Sequence, residues 1–185
     1  MILGRGRLIR GAVDFRHATE ADIEAIASLH ADSWRRNYRG SFADSYLDGD
    51  VHADRRAVWT ERLTHPDPAA DTVVAVEAGS LVGFVHTILD DDPRDGALLD
   101  NLHVVPDAQG TGIGTALMGH SAAAVLARGR IRRMYLYVLE PNTGAQAFYD
   151  ARGGRCVGRE GFDEPGGGQA VGLRYVWDDP SVLRP

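Results

Sequence analysis

From residue 13 the chain alternates apolar and polar positions, Val13 and Phe15 against Asp14 and Arg16, which is the period of a half-buried strand. The period then lengthens. Ile23, Ile26, Ala27, Leu29 and His30 recur at three- and four-residue spacing and predict a helix, with Thr19 as its cap. An aromatic-rich stretch from Trp34 to Tyr46 is interrupted by Gly40, and a second helical pattern over about 54–63, with Trp59 in its core face, stops at His65-Pro66-Asp67-Pro68. Apolar runs at 72–76 and 81–89, separated by Glu77-Ala78-Gly79-Ser80, predict a hairpin. The acidic segment 90–96 reads as a solvated turn. Further strands are predicted at 98–105, at 134–139, near Cys156 and at 170–177. Helices are predicted up to about Arg128 and over 142–151, the second closed by Gly153-Gly154, and Pro165-Gly166-Gly167-Gly168 reads as a flexible loop. With no internal repeat and no interdomain linker, the pattern gives one mixed α/β domain.

The segment that joins the strand at 98–105 to the following helix carries the first chemical signal. Gly110, Gly112 and Gly114 sit where a strand turns into a helix, and the first helical turn offers free backbone N–H donors and a positive dipole end. Glycines there let the backbone approach a bulky diphosphate, so the local physics predicts a phosphate-containing ligand. A P-loop reading fails because it needs a lysine and the chain has none. A dinucleotide reading fails on the spacing of the third glycine. It also lacks an acidic residue about 20 positions on, where 128–133 supplies only arginines.

Composition narrows the chemistry further. The 185 residues suit one domain, and all 20 basic residues are arginine, which excludes a lysine nucleophile or Schiff base. The single cysteine, Cys156, excludes an intramolecular disulfide and a multi-cysteine zinc site, and fits a reducing compartment. A net charge of −6 argues against a broad nucleic-acid surface. No apolar stretch approaches the roughly 20 residues that span a bilayer, and residues 1–12, rich in glycine and arginine, read as a loose leader rather than a secretory signal. The expected setting is cytoplasmic, without membrane or nucleic-acid partners. His17, His30, His52, His65, His86 and His120 form no ligand spacing, so no metal is expected.

Leu102-His103-Val104-Val105-Pro106-Asp107-Ala108-Gln109-Gly110-Thr111-Gly112-Ile113-Gly114 resembles the acyl-CoA motif of the GNAT superfamily of N-acetyltransferases, roughly L-x-V-x-P-x-x-Q-G-x-G-x-G/A, at every fixed position. A second stretch, from Asn142 to Gly153, resembles the family's N-x-x-A-x-x-F-Y-x-x-x-G helix, and 13–19 with Asp22 looks like its first strand and helix start. The resemblance covers about 13–177, leaving 178–185 as a C-terminal tail. It implies a single domain whose central sheet is mixed and mostly antiparallel, flanked by helices and splayed between its two central strands. It also implies acetyl-CoA as co-substrate and direct attack by a primary amine in a ternary complex, with no metal. A small-molecule amine is the leading acceptor. A protein or peptide amine, and a non-catalytic acyl-CoA-binding module, are the alternatives. A homodimer is common in the family.

Residue by residue, the likeness assigns the pantetheine arm to the backbone of Leu102, His103 and Val104. It assigns the pyrophosphate to Gln109, Gly110, Thr111, Gly112, Ile113, Gly114 and Thr115. Asn142 would cap its helix and touch the cofactor arm, and Tyr149 would protonate the departing thiolate; plain packing beside Phe148 is the other reading of Tyr149. The resemblance breaks at the base, with Leu98 where many members carry glutamate and Tyr137 where some do. Asp100 ranks first among replacements and His103 second, beside a water-mediated route, with a solvated structural role the other reading of Asp100; strict alternation sets Asn101 and His103 on the face opposite Asp100. Trp34 and Tyr38, four apart on one helical face, could wall the amine pocket or serve the core. A similar S-W-x-x-x-Y-x-G stretch occurs in one subgroup of the family.

Overall fold

A computed structural model describes residues 11–163 and 169–183. The leader, apart from residues 11 and 12, and the glycine loop at 165–168 lie outside the described residues. Seven strands form one sheet in the order β1-β2-β3-β4-β5-β7-β6. They are β1 (Val13–His17), β2 (Ala70–Glu77), β3 (Ser80–Asp92), β4 (Gly96–Val104), β5 (Met134–Leu139), β6 (Arg155–Asp163) and β7 (Gln169–Trp177). The helices are α1 (Ile23–Asn37), α2 (Asp44–Asp48), α3 (Val51–Thr64), α4 (Ile113–Arg128) and α5 (Thr143–Asp150). Short α2 lies inside the aromatic-rich stretch, and α3 starts at Val51, three residues before its sequence pattern.

Neighbouring strands run antiparallel except β4 and β5, which α4 connects as a crossover, the connection a parallel pair requires. That parallel pairing holds only at Ala97 with Met134 and Leu98 with Tyr135. Beyond these two pairs the strands part, so one edge of 99–104 and one edge of 136–139 face an opening. The central splay expected from the family likeness is therefore present.

Alternation along the strands divides the core. Val73, Val85, Leu99, Met134, Leu136 and Val138 face α4, packing with Leu117, Met118 and Val125. Val74 and Phe84 face the other way, against Ile26, Ala27 and Leu29 of α1 and Trp59 of α3. A third cluster, Ala31, Trp34, Phe42, Leu47 and Val51 with Leu139 and Ala170, roofs the far end of the splay.

Two segments, one read as a solvated turn and one as a tail, have tertiary jobs. The acidic run is mostly strand: Asp90 accepts the Arg130 and Ile131 N–H groups at 2.8 and 3.1 Å, and Asp92 Oδ1 closes the turn on the Arg94 and Asp95 N–H groups. Residues 180–183, within the segment read as a tail, form a 3-10 turn that packs Leu183 into the core beside α4.

Candidate active site in the splay

The glycine loop takes its shape from backbone torsions. Gly110 and Gly112 have φ of +73° and +94°, and a β-carbon at either would meet nothing within 4 Å. They are needed for a left-handed backbone rather than for want of space. Gly114 is the opposite case: a β-carbon there would lie 3.3 Å from the Phe148 ring, so its hydrogen lets α5 approach α4. Around them, Gln109 Nε2 donates to the Val104 carbonyl at 3.1 Å and the Thr111 hydroxyl to the Ala108 carbonyl at 2.6 Å. Gly112 is the residue before the helix and carries no capping side chain, so the N–H groups of Ile113, Gly114 and Thr115 start α4 with no carbonyl one turn earlier to bind.

Thr115, predicted to touch the cofactor, has its hydroxyl bound by Arg152 Nε at 3.0 Å and again by Nη2. Arg152 also donates to the Phe148 carbonyl at 2.8 Å and lies over the Phe148 ring at 3.5 Å. Among the described residues no carboxylate pairs with it, so a positive charge stands beside the opening turn of α4. Sequence reasoning missed this arginine, although it lies inside the second motif.

Asn142 accepts the Ala145 N–H at 3.1 Å and caps α5, as expected. Near the end of that helix Tyr149 is only 8% exposed, against Phe148, Tyr175 and Trp177. It belongs to the core by its ring. Burial, with the Tyr38 phenol beside it, raises the proton affinity of its hydroxyl, so it is a protonated donor at neutral pH.

The acceptor-facing side hangs from α1. Trp34 is buried, stacked on Tyr38 at 5.5 Å and set edge-on to His30 at 4.8 Å and Phe42 at 4.9 Å, with the Arg55 guanidinium 4.2 Å over its ring. Tyr38 is half-buried and is the more open of the pair.

The alternation assumed along β4 does not hold. A bulge leaves Asp100 without a register partner between Leu99 opposite Thr87 and Asn101 opposite His86. Arg62 of α3 then reaches both neighbours, with Nη2 2.8 Å from Asp100 and Nη1 donating to Asn101 Oδ1 at 3.0 Å. Asp100, ranked first as base, is committed to an ion pair. Tyr137 is committed too: it donates to Glu160 at 2.9 Å and accepts from Arg174 at 2.6 Å.

His103, ranked second, is placed differently. Its Nδ1 lies 2.8 Å from the Ser33 hydroxyl, and its ring packs against His30 at 4.7 Å and Phe84 at 5.2 Å. Burial pushes its pKa down to about 4, against the pull of Asp100. His86, which shares a hydrogen bond with the Thr72 hydroxyl at 2.7 Å, is also pushed down to about 4 by burial and by Arg62. His30 is fully buried and held well below the usual imidazole range by burial and by His103. No group of histidine, cysteine and carboxylate side chains with metal-holding geometry occurs among the described residues.

Residues 23–153 match the acetyltransferase (GNAT) family. YuaI of Bacillus subtilis, named as an uncharacterised N-acetyltransferase, is 29% identical over 178 residues, covering 93% of this chain and 96% of that protein. A mycothiol acetyltransferase of Salinispora tropica is 32% identical over 130 residues, which cover 66% of this chain and 40% of the relative. Among solved structures, the PaiA N-acetyltransferase of Thermoplasma acidophilum in complex with coenzyme A superimposes with a TM-score of 0.70 at 17% identity, covering 90% of this chain and 99% of that one.

Proposed function

The chain belongs to the GNAT acetyltransferase family, and on that premise we propose that it transfers an acetyl group from acetyl-CoA to a primary amine of a small molecule, by direct attack in a ternary complex. One observation carries the reading. The left-handed glycine loop opens α4 directly after β4, whose edge beyond Leu98 has no β5 partner, so a free strand edge runs into a turn of free N–H groups. In this reading the free edge of β4 at Leu102, His103 and Val104 pairs with the amides of the pantetheine arm. The N–H groups from Gln109 to Thr115 take the pyrophosphate, with Arg152 adding charge at the same turn. Asn142 closes the arm's other side.

The acceptor nitrogen then meets the thioester carbonyl between β4 and β5, walled by Tyr38 with Trp34 behind it. Tyr149 gives its proton to the departing sulfur. A phenol of pKa about 10 can serve a thiolate whose own pKa is about 8.5, and burial keeps the phenol protonated until the sulfur charge develops beside it. The match to a relative named for mycothiol supports a small-molecule acceptor over a protein one. No metal enters the scheme. The reaction suits the cytoplasm, where acetyl-CoA is supplied.

An amine panel of amino acids, polyamines, aminoglycosides, arylamines and short peptides, read by thiol release, tests the proposal alongside acetyl-CoA calorimetry. Turnover of one amine class is expected. Binding with silence across the panel would favour the non-catalytic module, turnover of peptides alone the protein acceptor, and no acetyl-CoA binding would remove the reading altogether.

A further inference from the structure

We propose that His103 is the general base of the transfer, positioned by Ser33 and by the buried His30. This rests on the acetyltransferase reading and adds the group that takes the proton from the amine. The nearest carboxylate on the strand, Asp100, is engaged by Arg62 at 2.8 Å, and Tyr137 across the opening is held by Glu160 and Arg174. His103 is a titratable group on the splayed part of β4, and its Nε2 hydrogen-bonds to no described residue.

The neighbours of the ring admit the tautomer in which Nε2 is bare. Ser33 Oγ lies 2.8 Å from His103 Nδ1 and already accepts from Asn37 Nδ2 at 3.2 Å. A serine oxygen has two lone pairs, so it can accept from Asn37 and from an Nδ1–H together. The proposal requires this tautomer, with Nδ1–H donating to Ser33 and the free lone pair on Nε2, rather than the one in which the Ser33 hydroxyl donates to Nδ1. His30 backs the ring at 4.7 Å and is itself locked, because its Nδ1 accepts from Trp59 Nε1 at 3.0 Å and its proton must then sit on Nε2. The groups facing the pair are Arg55 and Arg62 from α3, His86 from β3 and Asp100 from β4.

In the step itself the amine nitrogen bonds to the carbonyl carbon and the carbonyl π pair moves to oxygen. The N–H proton then passes to His103 Nε2. As the carbonyl re-forms, the C–S bond breaks with its electron pair on sulfur, which takes the Tyr149 proton. The imidazolium returns its proton to solvent and the phenolate recovers one, so amine and thioester become amide and thiol with nothing left over.

The test compares wild type, H103A, S33A and the double variant on whichever panel amine turns over fastest. H103A is expected to lose about 10²–10³-fold in kcat with acetyl-CoA affinity unchanged, and to recover in proportion to added free-base imidazole. S33A should lose several-fold in the wild-type background and nothing in the H103A background, since Ser33 acts only through the ring. Nitrogen NMR of the folded wild type should find His103 with its proton on Nδ1. An Nε2–H tautomer, an H103A rate within about threefold of wild type, a loss indifferent to imidazole, or an equal S33A cost in both backgrounds would each overturn the proposal. Wild-type turnover with an unimpaired H103A brings down the base alone. Acetyl-CoA binding without turnover of any amine brings down the transfer reading with it.

Discussion

The two walls of the splay are built by different means. On the donor wall, β4, the glycine loop and α4 follow one another in a single run from Gly96 to Arg128, and the shape comes from torsions at Gly110 and Gly112 and from N–H groups that a helix start leaves free. On the acceptor wall, α1 and α3 are held over the sheet by side chains from distant parts of the chain. Trp59 donates to His30, Arg62 grips Asp100 and Asn101, Arg55 covers Trp34, and His103 meets Ser33 from 70 positions away. Backbone donors can bind the same phosphates in many sequences. Side-chain pairs of this kind can be rebuilt for one acceptor, so the donor wall should define the family's reaction and the acceptor wall its substrate.

The largest effect should come from the proposed acid, Tyr149. Replacing Tyr149 by Phe keeps the ring among Phe148, Tyr175 and Trp177 and removes only the hydroxyl. Turnover is expected to fall by about 10²–10³-fold, the usual worth of a positioned acid, while acetyl-CoA affinity in calorimetry stays within about twofold because no donor-wall contact is lost. An unchanged kcat would take Tyr149 out of the mechanism and leave it a core residue.

Acid should separate the walls next. His86 and His103 have folded pKa values pushed down to about 4, and His30 is held well below the imidazole range. Between about pH 6.5, where an unfolded imidazole titrates, and pH 4, the unfolded chain therefore binds more protons than the folded one. The stability these groups give is present above about pH 6.5 and drains as pH falls through that window, at up to about 1.4 kcal/mol per pH unit for each fully buried ring. All three contact the acceptor wall. Hydrogen exchange, corrected for intrinsic rates, should show α1 and α3 losing protection before α4 between pH 6.5 and 4.5; uniform loss would mean the walls unfold as one unit.

A smaller effect tests the donor wall by its backbone alone. Gly112 at φ +94° has open space where a side chain would go, so Gly112→Val introduces strain without a clash. The strain is about 1–2 kcal/mol. If the loop relaxes to escape it, the N–H groups turn away from the phosphates. Acetyl-CoA should then bind about tenfold more weakly, the equivalent of about 1.4 kcal/mol, with the acceptor KM little changed. Undiminished affinity in a folded variant would remove the pyrophosphate from this loop.

The same contrast explains what could be read from the residues alone. The glycine loop was legible because a left-handed turn before a helix restricts the residues that can stand there, and the capping role of Asn142 because its partner is three residues away. The facing of Asp100 was not legible, because alternation is a rule for regular strands and a bulge at that residue puts two neighbours within reach of Arg62. Nothing in the local pattern announces that bulge. Ser33, His30, Arg55 and Arg62 carry no motif and acquire meaning only when α1 and α3 fold over β4. Tyr38 was noted for its spacing to Trp34, yet its approach to Tyr149 depends on α5, more than 100 residues later.

Arg152 offers the finest test, because it can serve the donor wall in two ways that local contacts do not separate. Its guanidinium binds the Thr115 hydroxyl and the Phe148 carbonyl, and so braces α5 against α4; it also leaves a cation with no carboxylate partner among the described residues next to the helix start. Bracing alone would make Arg152→Gln, which keeps donors but no charge, weaken acetyl-CoA only through stability, at any salt. A charge acting on phosphate predicts a few-fold loss of affinity, within about 1 kcal/mol, that shrinks as salt rises because part-exposed charges are screened over about 10 Å at 0.1 M. The second outcome is expected, since burial costs the guanidinium solvation that a phosphate would restore. Measuring Kd for wild type and Arg152→Gln at 50 and 500 mM salt decides it: parallel lines leave Arg152 a brace, and converging lines make it part of the anion site.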